Sequence, residues 1–135
     1  RVTTGTAALT MQRAQVGVVA SGTATLEAAF FRLPFVLVYR VAWPTYIAAR
    51  MVVKVKHLGM PNVLAGKEVV RELIQHHATP HAIEVAVMDL LEQPRARDEM
   101  VLEFDRVVAQ LGDFGASERA ATAIFELLNA PSAVA

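Results

Sequence analysis

The feature that most constrains the fold is a run of 24 residues, 16–39, in which two apolar segments flank a helical one. Val16–Ala20 and Phe35–Tyr39 have the length and apolar character of buried strands, and Ser21-Gly22 ends the first of them. Residues 23–33 carry apolar side chains at helical spacing. Two strands joined so closely by a helix lie parallel in one sheet, with a right-handed crossover. The sequence therefore predicts an α/β fold.

The remainder of the chain is expected to be mainly helical. Residues 45–53 predict a helix, with an edge strand over residues 52–57 as the alternative, and residues 59–66 predict a structured loop. Further helices are predicted over residues 67–77, from Pro80 with Thr79 as N-cap, between Pro94 and Gly112, and from Gly115 to about Asn129 with Ala121, Ile124 and Leu128 facing inward. One domain is expected over residues 1–130, followed by a frayed tail, residues 131–135.

The charges are distributed unevenly, although the net charge is zero. Residues 1–67 include eight basic residues and one acidic one, whereas residues 68–135 include five basic and twelve acidic residues. This asymmetry indicates that the first half meets an anion, such as a nucleotide phosphate, a lipid phosphate or a membrane surface. The alternative is that the two halves neutralise each other.

Several kinds of site are excluded or disfavoured by composition. The absence of cysteine excludes a disulfide framework, a thiolate metal site and a cysteine nucleophile. The four histidines lack partners at metal-binding spacing, so no metal site is expected. No stretch of about 18 residues is apolar enough for a transmembrane helix. The first residues, from Arg1, do not have the pattern of a signal peptide, and the chain is expected to start partway through a fold.

The polar turn after the first predicted strand has the composition of a phosphate-binding site. Ligands of open α/β sheets bind beyond the carboxyl ends of the strands, and a helix that begins there offers unpaired N–H groups to an anion. Gly22 would let a diphosphate approach the backbone, and the hydroxyls of Ser21 and Thr23 would donate to it. Glu27, one turn later, could accept from a ribose diol. The alternative is a turn that binds nothing, with Glu27 as a solvated helix residue.

A family resemblance extends over about residues 14–128. The segments that carry it are Ser21–Ala29, Leu33-Pro34, Val38–Val41, Tyr46–Arg50, Val53–Val55, Leu58–Val70 and Gly115–Ala121. Together they resemble the nucleotide-binding part of the lipid-A-disaccharide synthase family, most specifically in the Pro-Asn-Val-Leu-Ala-Gly-Lys-Glu segment, residues 61–68. Two departures are Lys67, where an arginine is usual, and Arg71, where a proline is common.

The resemblance implies a Rossmann-like lobe of a GT-B type glycosyltransferase, in which two such lobes enclose the active site. It implies transfer of diacylglucosamine from its UDP ester to the 6-hydroxyl of diacylglucosamine 1-phosphate, without a metal or other cofactor. The base is expected in the lobe that this chain lacks, so no catalytic residue is predicted and the isolated chain is expected to be inactive. The nucleotide-binding residues implied are Ser21, Gly22, Thr23 and Glu27 for the diphosphate and ribose, and Arg40, Asn62, Gly66 and Glu68 for nucleotide or cleft contacts.

Other interpretations remain open at this point. They are another UDP-sugar transferase, a sugar-nucleotide epimerase of related fold, or a non-catalytic module for nucleotide binding or dimerisation. The resemblance implies a cytoplasmic protein peripheral to the inner membrane, with a homodimer as a further candidate assembly and no nucleic-acid partner. The basic stretch from Arg40 to Lys56, which includes Trp43 and Tyr46, is expected to lie near an anionic membrane surface. The alternative is that Trp43 packs inside while the cations face a substrate phosphate.

Overall fold

A computed structural model of the chain describes residue 2 and residues 4–46, 56–112 and 115–129. Its centre is a sheet of three parallel strands in the order β1-β2-β3: β1 (Gly17–Ala20), β2 (Phe35–Tyr39) and β3 (Glu72–Ile74). Gly17 lies opposite Phe35, and Leu37 lies opposite Glu72. The first two strands are joined by helix α2 (Ala24–Phe30), which confirms the predicted strand–helix–strand unit. The helix is shorter than expected, and Arg32 behind it has a left-handed φ of 56°.

Strand β2 separates two hydrophobic layers because its successive side chains point to opposite faces of the sheet. Phe35 and Leu37 belong to a cluster with residues of α2 and with Phe104, whose ring stacks on that of Phe35 at a centroid distance of 5.6 Å. Val36 belongs to the opposite cluster, with Leu73, Ala86 and Leu90. The chain is therefore a three-layer α/β/α arrangement, consistent with a Rossmann-like lobe.

In the described part of the chain, further helices surround or extend the sheet. In chain order they are α1 (Ala7–Arg13), α3 (Met60–Ala65), α4 (Pro80–Glu92), α5 (Pro94–Gln110) and α6 (Ala116–Asn129). Residues 43–46 are also helical, and most of the helix or edge strand predicted there, residues 47–55, lies outside the described residues. The N-cap prediction is confirmed, because the hydroxyl of Thr79 accepts a 3.1 Å hydrogen bond from the Ala82 N–H.

Two segments differ from the sequence expectation. Residues 59–66 contain α3 rather than only a loop; Pro61 stands in its first turn, where a missing N–H costs nothing. The predicted helix over residues 67–77 is wrong: β3 and a single 3₁₀ turn, Gln75–His77, take its place. The edge of β2 is free for pairing, and residues 72–74 pair along it.

The inward face predicted for the last helix is also wrong. Ile124 and Leu128 are 58% and 78% exposed, and Ala121 is exposed as well. The helical pattern was recognised correctly, but α6 projects its apolar stripe away from both hydrophobic clusters. The expected tail after residue 130 lies outside the described residues. Within the described ranges, every helix is too short or too polar to cross a membrane.

Candidate functional site

The carboxyl ends of the three parallel strands lie at one edge of the sheet. The residues that directly follow them are Ser21 after β1, Arg40 after β2 and Gln75 after β3. This edge is where ligands of open α/β sheets bind. The topology therefore brings two of the predicted site residues, Ser21 and Arg40, to one edge from adjacent strands.

The turn at residues 21–23 is held to the sheet at its first residue, where the Ser21 N–H donates to the Val38 carbonyl at 3.2 Å. Gly22 has a φ of 140°, which side chains disfavour, and a Cβ placed on it would meet no atom within 4 Å. Within the described part of the chain, the N–H groups of Gly22, Thr23 and Ala24 have no acceptor. Unpaired donors beside open space suit an oxyanion.

Thr25 fixes the shape of this turn and was missed by the sequence analysis. Its hydroxyl donates to the Gly22 carbonyl at 2.7 Å, and its N–H donates to the same oxygen at 3.1 Å. The side chain is fully buried under the turn. Thr25 is therefore a positioning residue: it aims the Gly22 carbonyl into the helix and leaves the outer side of the turn to N–H groups.

The two charged residues predicted around the turn are both accessible. Glu27 is exposed on the first turn of α2, and its N–H donates to the Thr23 carbonyl at 3.1 Å. Arg40 is exposed at the end of β2 and forms no ion pair with any residue that the structure describes. The Glu27 carboxylate and the Arg40 guanidinium thus lie on neighbouring elements and do not form an ion pair with each other.

The remaining predicted contacts lie on a different segment. Asn62, Gly66 and Glu68 precede β3 and are not at the carboxyl edge. The Asn62 side chain is fully buried; its Oδ1 accepts from the N–H groups of Val69 and Val70 at 2.7 and 2.8 Å, and its Nδ2 donates to the Val70 carbonyl. Nucleotide binding by Asn62 would require these bonds to break. Gly66 ends α3 in a left-handed conformation with φ 67°, and Glu68 is exposed.

Gln75 joins the segments that follow β2 and β3. Its side-chain oxygen accepts from the Val41 N–H at 2.8 Å, and its Nε2 donates to the Val41 carbonyl at 3.0 Å. The residue is 4% exposed and has a left-handed φ of 53°, a conformation that costs a non-glycine residue about 1–3 kcal/mol. No sequence signal marks it, because a glutamine in a polar stretch has no recognisable pattern.

Part of the charge asymmetry is neutralised within the fold. Arg32 binds Asp105 in a bidentate pair with distances of 2.8 and 2.5 Å, and Lys67 lies 2.9 Å from Glu103. The hydrogen bond from Arg32 lowers the pKa of the Asp105 carboxyl, and the hydrogen bond from Lys67 lowers that of Glu103. These cations are therefore occupied, whereas Arg40 and Lys56 have no ion-pair partner in the described ranges.

Comparison with known proteins gives one consistent result. A family model described as lipid-A-disaccharide synthetase matches residues 2–126. The chain is 41% identical over 109 residues to a lipid-A-disaccharide synthase of Persephonella marina, an alignment that covers 81% of this chain and 29% of that protein. It is 40% identical to the synthase of Syntrophus aciditrophicus, over 85% of this chain and 30% of that protein. It is 42% identical to the synthase of Myxococcus xanthus, over 82% of this chain and 29% of that protein. The chain thus spans roughly three tenths of the length of these relatives.

Proposed function

Since the chain belongs to the lipid-A-disaccharide synthase family, we propose that it forms the nucleotide-binding lobe of a GT-B type glycosyltransferase. The donor would be a UDP-linked diacylglucosamine and the acceptor diacylglucosamine 1-phosphate. The observation that carries this proposal is the turn at residues 21–23, which lies at the carboxyl edge of the sheet and whose Gly22 and Thr23 N–H groups have no acceptor among the described residues. Its position agrees with diphosphate binding in other α/β folds.

The diphosphate would contact the N–H groups of Gly22 and Thr23 and the hydroxyls of Ser21 and Thr23. Glu27 would accept hydrogen bonds from the ribose, since it lies one helical turn beyond Thr23 and is exposed. Arg40, after the adjacent strand, would offset phosphate charge. Asn62 would act indirectly by holding the segment before β3, to which Gly66 and Glu68 also belong.

These groups would promote transfer by stabilising the departing UDP. As the acceptor hydroxyl attacks the anomeric carbon, the bond from that carbon to the diphosphate breaks and negative charge grows on UDP. Backbone N–H groups and a cation already in place stabilise that charge without reorganisation. The hydroxyl proton would pass to a base in the part of the relatives that this chain does not match. The isolated chain would then bind the donor nucleotide without turning it over.

Association with a membrane surface is a further part of this proposal, because both substrates would be acylated. Trp43 is 56% exposed, and its ring contacts that of Tyr46 edge-to-face at 5.8 Å. Lys56 is exposed. Arg50 and Lys54, which were predicted to share this surface, lie outside the described residues. An exposed tryptophan ring and nearby cations are groups that favour an anionic interface.

Titration calorimetry with UDP on Glu27→Ala tests the nucleotide site. The substitution should weaken binding by about 1–3 kcal/mol, the usual effect of losing a hydrogen bond to a charged group. Glu99→Ala is a matched control, because Glu99 is also an exposed helical glutamate. Equal affinities of the two variants would remove Glu27 from the site.

A non-catalytic nucleotide-binding or dimerisation module is the second candidate. The exposed apolar stripe of α6, with Ile124, Phe125 and Leu128, is the observation that favours an interface role. Binding of UDP separates the first function from a dimerisation module, which does not require it, whereas a non-catalytic nucleotide-binding module is separated from it only by the absence of transferase activity in the full-length protein.

A further inference from the structure

The residues that follow β2 extend beyond the paired part of the sheet. The last pair between β2 and β3 joins Tyr39 to Ile74, and β1 ends at Ala20. Arg40 and Val41 therefore lie past both neighbouring strands, at the carboxyl edge of the sheet. Backbone beyond the end of a sheet has no ladder partner, so its N–H and carbonyl groups need other partners.

The side-chain amide of Gln75 takes the place of a strand partner for Val41. Its oxygen accepts from the Val41 N–H at 2.8 Å, and its Nε2 donates to the Val41 carbonyl at 3.0 Å. Residues that lie opposite each other in an antiparallel sheet exchange two hydrogen bonds in the same way. The pattern requires a donor and an acceptor side by side, which an amide provides. These two bonds form an amide clamp between the ends of β2 and β3.

The backbone of Gln75 adopts a conformation that is uncommon for a glutamine. Its φ is 53°, in the left-handed region, and the residue is 4% exposed. The Ala78 N–H donates to the Gln75 carbonyl at 3.2 Å and closes the 3₁₀ turn that follows β3. A strained residue persists only where its surroundings fix it, and such residues concentrate at ligand sites. Here the strained turn directs a buried side chain to Val41 instead of to solvent.

The amide clamp fixes the backbone on both sides of Val41. Arg40 directly precedes it, is exposed and forms no ion pair with any residue that the structure describes. Ala42 directly follows it, and its carbonyl accepts from the Tyr46 N–H at 3.0 Å in the helical turn that includes Trp43. The clamp thus determines the direction in which this segment leaves the sheet.

We propose that Gln75 is a positioning residue of the donor site, which holds the backbone of Arg40 in place through the amide clamp. The assignment rests on the proposed function, in which Arg40 offsets the charge of the diphosphate. A guanidinium on an ordered backbone loses less conformational freedom when it binds phosphate, so the clamp raises the affinity for the donor. Gln75 does this without touching the ligand, because its amide is bonded to Val41.

Gln75→Glu tests the proposal because it makes the amide clamp depend on pH. A neutral carboxyl has a donor and an acceptor, as the amide does, whereas a carboxylate has acceptors only and would face the Val41 carbonyl without a proton. Burial raises the pKa of an introduced carboxyl, so the clamp should be intact at about pH 5 and lost at about pH 8.

Titration calorimetry with UDP measures the effect. The Gln75→Glu variant should bind UDP about tenfold more weakly than the wild-type chain at pH 8, and within about twofold of it at pH 5. The ratio of the two affinities at each pH removes the titration of UDP, and of His76 and His77 beside the clamp, from the comparison. A ratio that does not change with pH would overturn the proposal.

Two further variants separate the amide clamp from the effect of added charge. Gln75→Met is close in size and has no amide, so it should weaken UDP binding by about tenfold at both pH values. Gln110→Glu introduces the same charge at an exposed glutamine of α5 and should leave the UDP affinity within about twofold. Urea unfolding establishes that each variant is folded under the titration conditions. Equal UDP affinities of the wild-type chain and a folded Gln75→Met variant would contradict the proposal.

Trp43 gives a second measurement that needs no ligand, because it is the only tryptophan in the chain. Gln75→Met should lower the fluorescence anisotropy of Trp43, and Gln110→Glu should not change it. An unchanged anisotropy in Gln75→Met would show that the amide clamp does not order this segment. A wild-type chain that does not bind UDP would contradict the proposed function itself, and the wild-type titration separates that outcome from equal affinities of the variants.

Discussion

The side-chain amide of Asn62 donates to the carboxylate of Glu72 at 2.8 Å. The same carboxylate accepts from the N–H groups of Leu58 and Gly59, at 2.8–3.1 Å, where α3 begins. Asn62 in turn holds the backbone at Val69 and Val70. One amide and one carboxylate thus fix the whole connection from α3 into β3. The most specific segment of the family resemblance is explained here by backbone hydrogen bonding.

Asn62→Ala should therefore destabilise the fold by about 2–4 kcal/mol, because it removes the partner of the Val69 N–H and of the buried Val70 N–H and carbonyl. Urea denaturation monitored by circular dichroism gives the change. Gln110→Ala, an exposed amide at the end of α5, is the control and should change stability by less than about 0.5 kcal/mol. Similar unfolding midpoints for the two variants would show that the Asn62 bonds do not hold this segment.

The Arg32–Asp105 pair predicts how stability depends on pH. The pKa of Asp105 is lowered in the folded chain from its usual value of 3.8 by the hydrogen bond from Arg32. The pair therefore stabilises the fold fully above about pH 4, and this contribution is lost as the pH falls through the lowered pKa. Asp105→Asn should reduce stability at pH 7 and have less effect at pH 2. The reduction should shrink in 0.5 M salt, since the Arg32 side chain is largely accessible and the Asp105 side chain partly so.

Asp98→Asn on the same helix is the matched control for this comparison. Asp98 is exposed and has no ion pair among the residues described. Its substitution should leave the pH dependence unchanged. If the two variants have the same profile of unfolding free energy against pH, the Arg32–Asp105 pair makes no net contribution to stability.

The central strand–helix–strand unit could be predicted from the sequence because its signals are local. The signals are apolar runs of strand length, a Ser-Gly break and Pro34, and each acts within a few residues. Together they predict the parallel pairing of β1 with β2, which the structure confirms. Strand β3 could not be predicted in this way. It has only three residues, begins with a glutamate, and follows Val69 and Val70 at a spacing that also suits a helix. Its conformation depends on pairing with β2, a tertiary effect that overrides local preference.

The residues of the candidate site also divide into those that local sequence signals predict and those whose roles depend on the tertiary fold. The turn at residues 21–23 could be predicted because a polar break between strand and helix is visible in the sequence. Thr25 and Gln75 could not, because their roles depend on which backbone groups the fold brings within hydrogen-bonding distance. Asn62 was singled out by the resemblance alone, and its burial and bonding partners became evident only from the fold.

Membrane association makes a prediction about Lys56. Lys56→Glu should reduce co-sedimentation with anionic liposomes several-fold, since each cation near anionic lipid contributes about 1 kcal/mol. Arg95→Glu makes the same charge change on an exposed residue of α5 and should have little effect. Neutral liposomes should bind all three proteins equally weakly. Equal binding to anionic and neutral liposomes, unchanged by either substitution, would exclude a contribution of this stretch to membrane binding.

The central claim is that the turn after β1 binds the diphosphate of UDP, and a ¹H–¹⁵N NMR titration of the chain with UDP tests it most directly. The amide resonances of Gly22, Thr23 and Ala24 should shift first and furthest, because these N–H groups have no acceptor in the described part of the chain and would become donors to phosphate. Amides of the segment at Gly66 and Glu68 should shift less. Saturable shifts confined to that segment, or no shifts at millimolar UDP, would contradict the account.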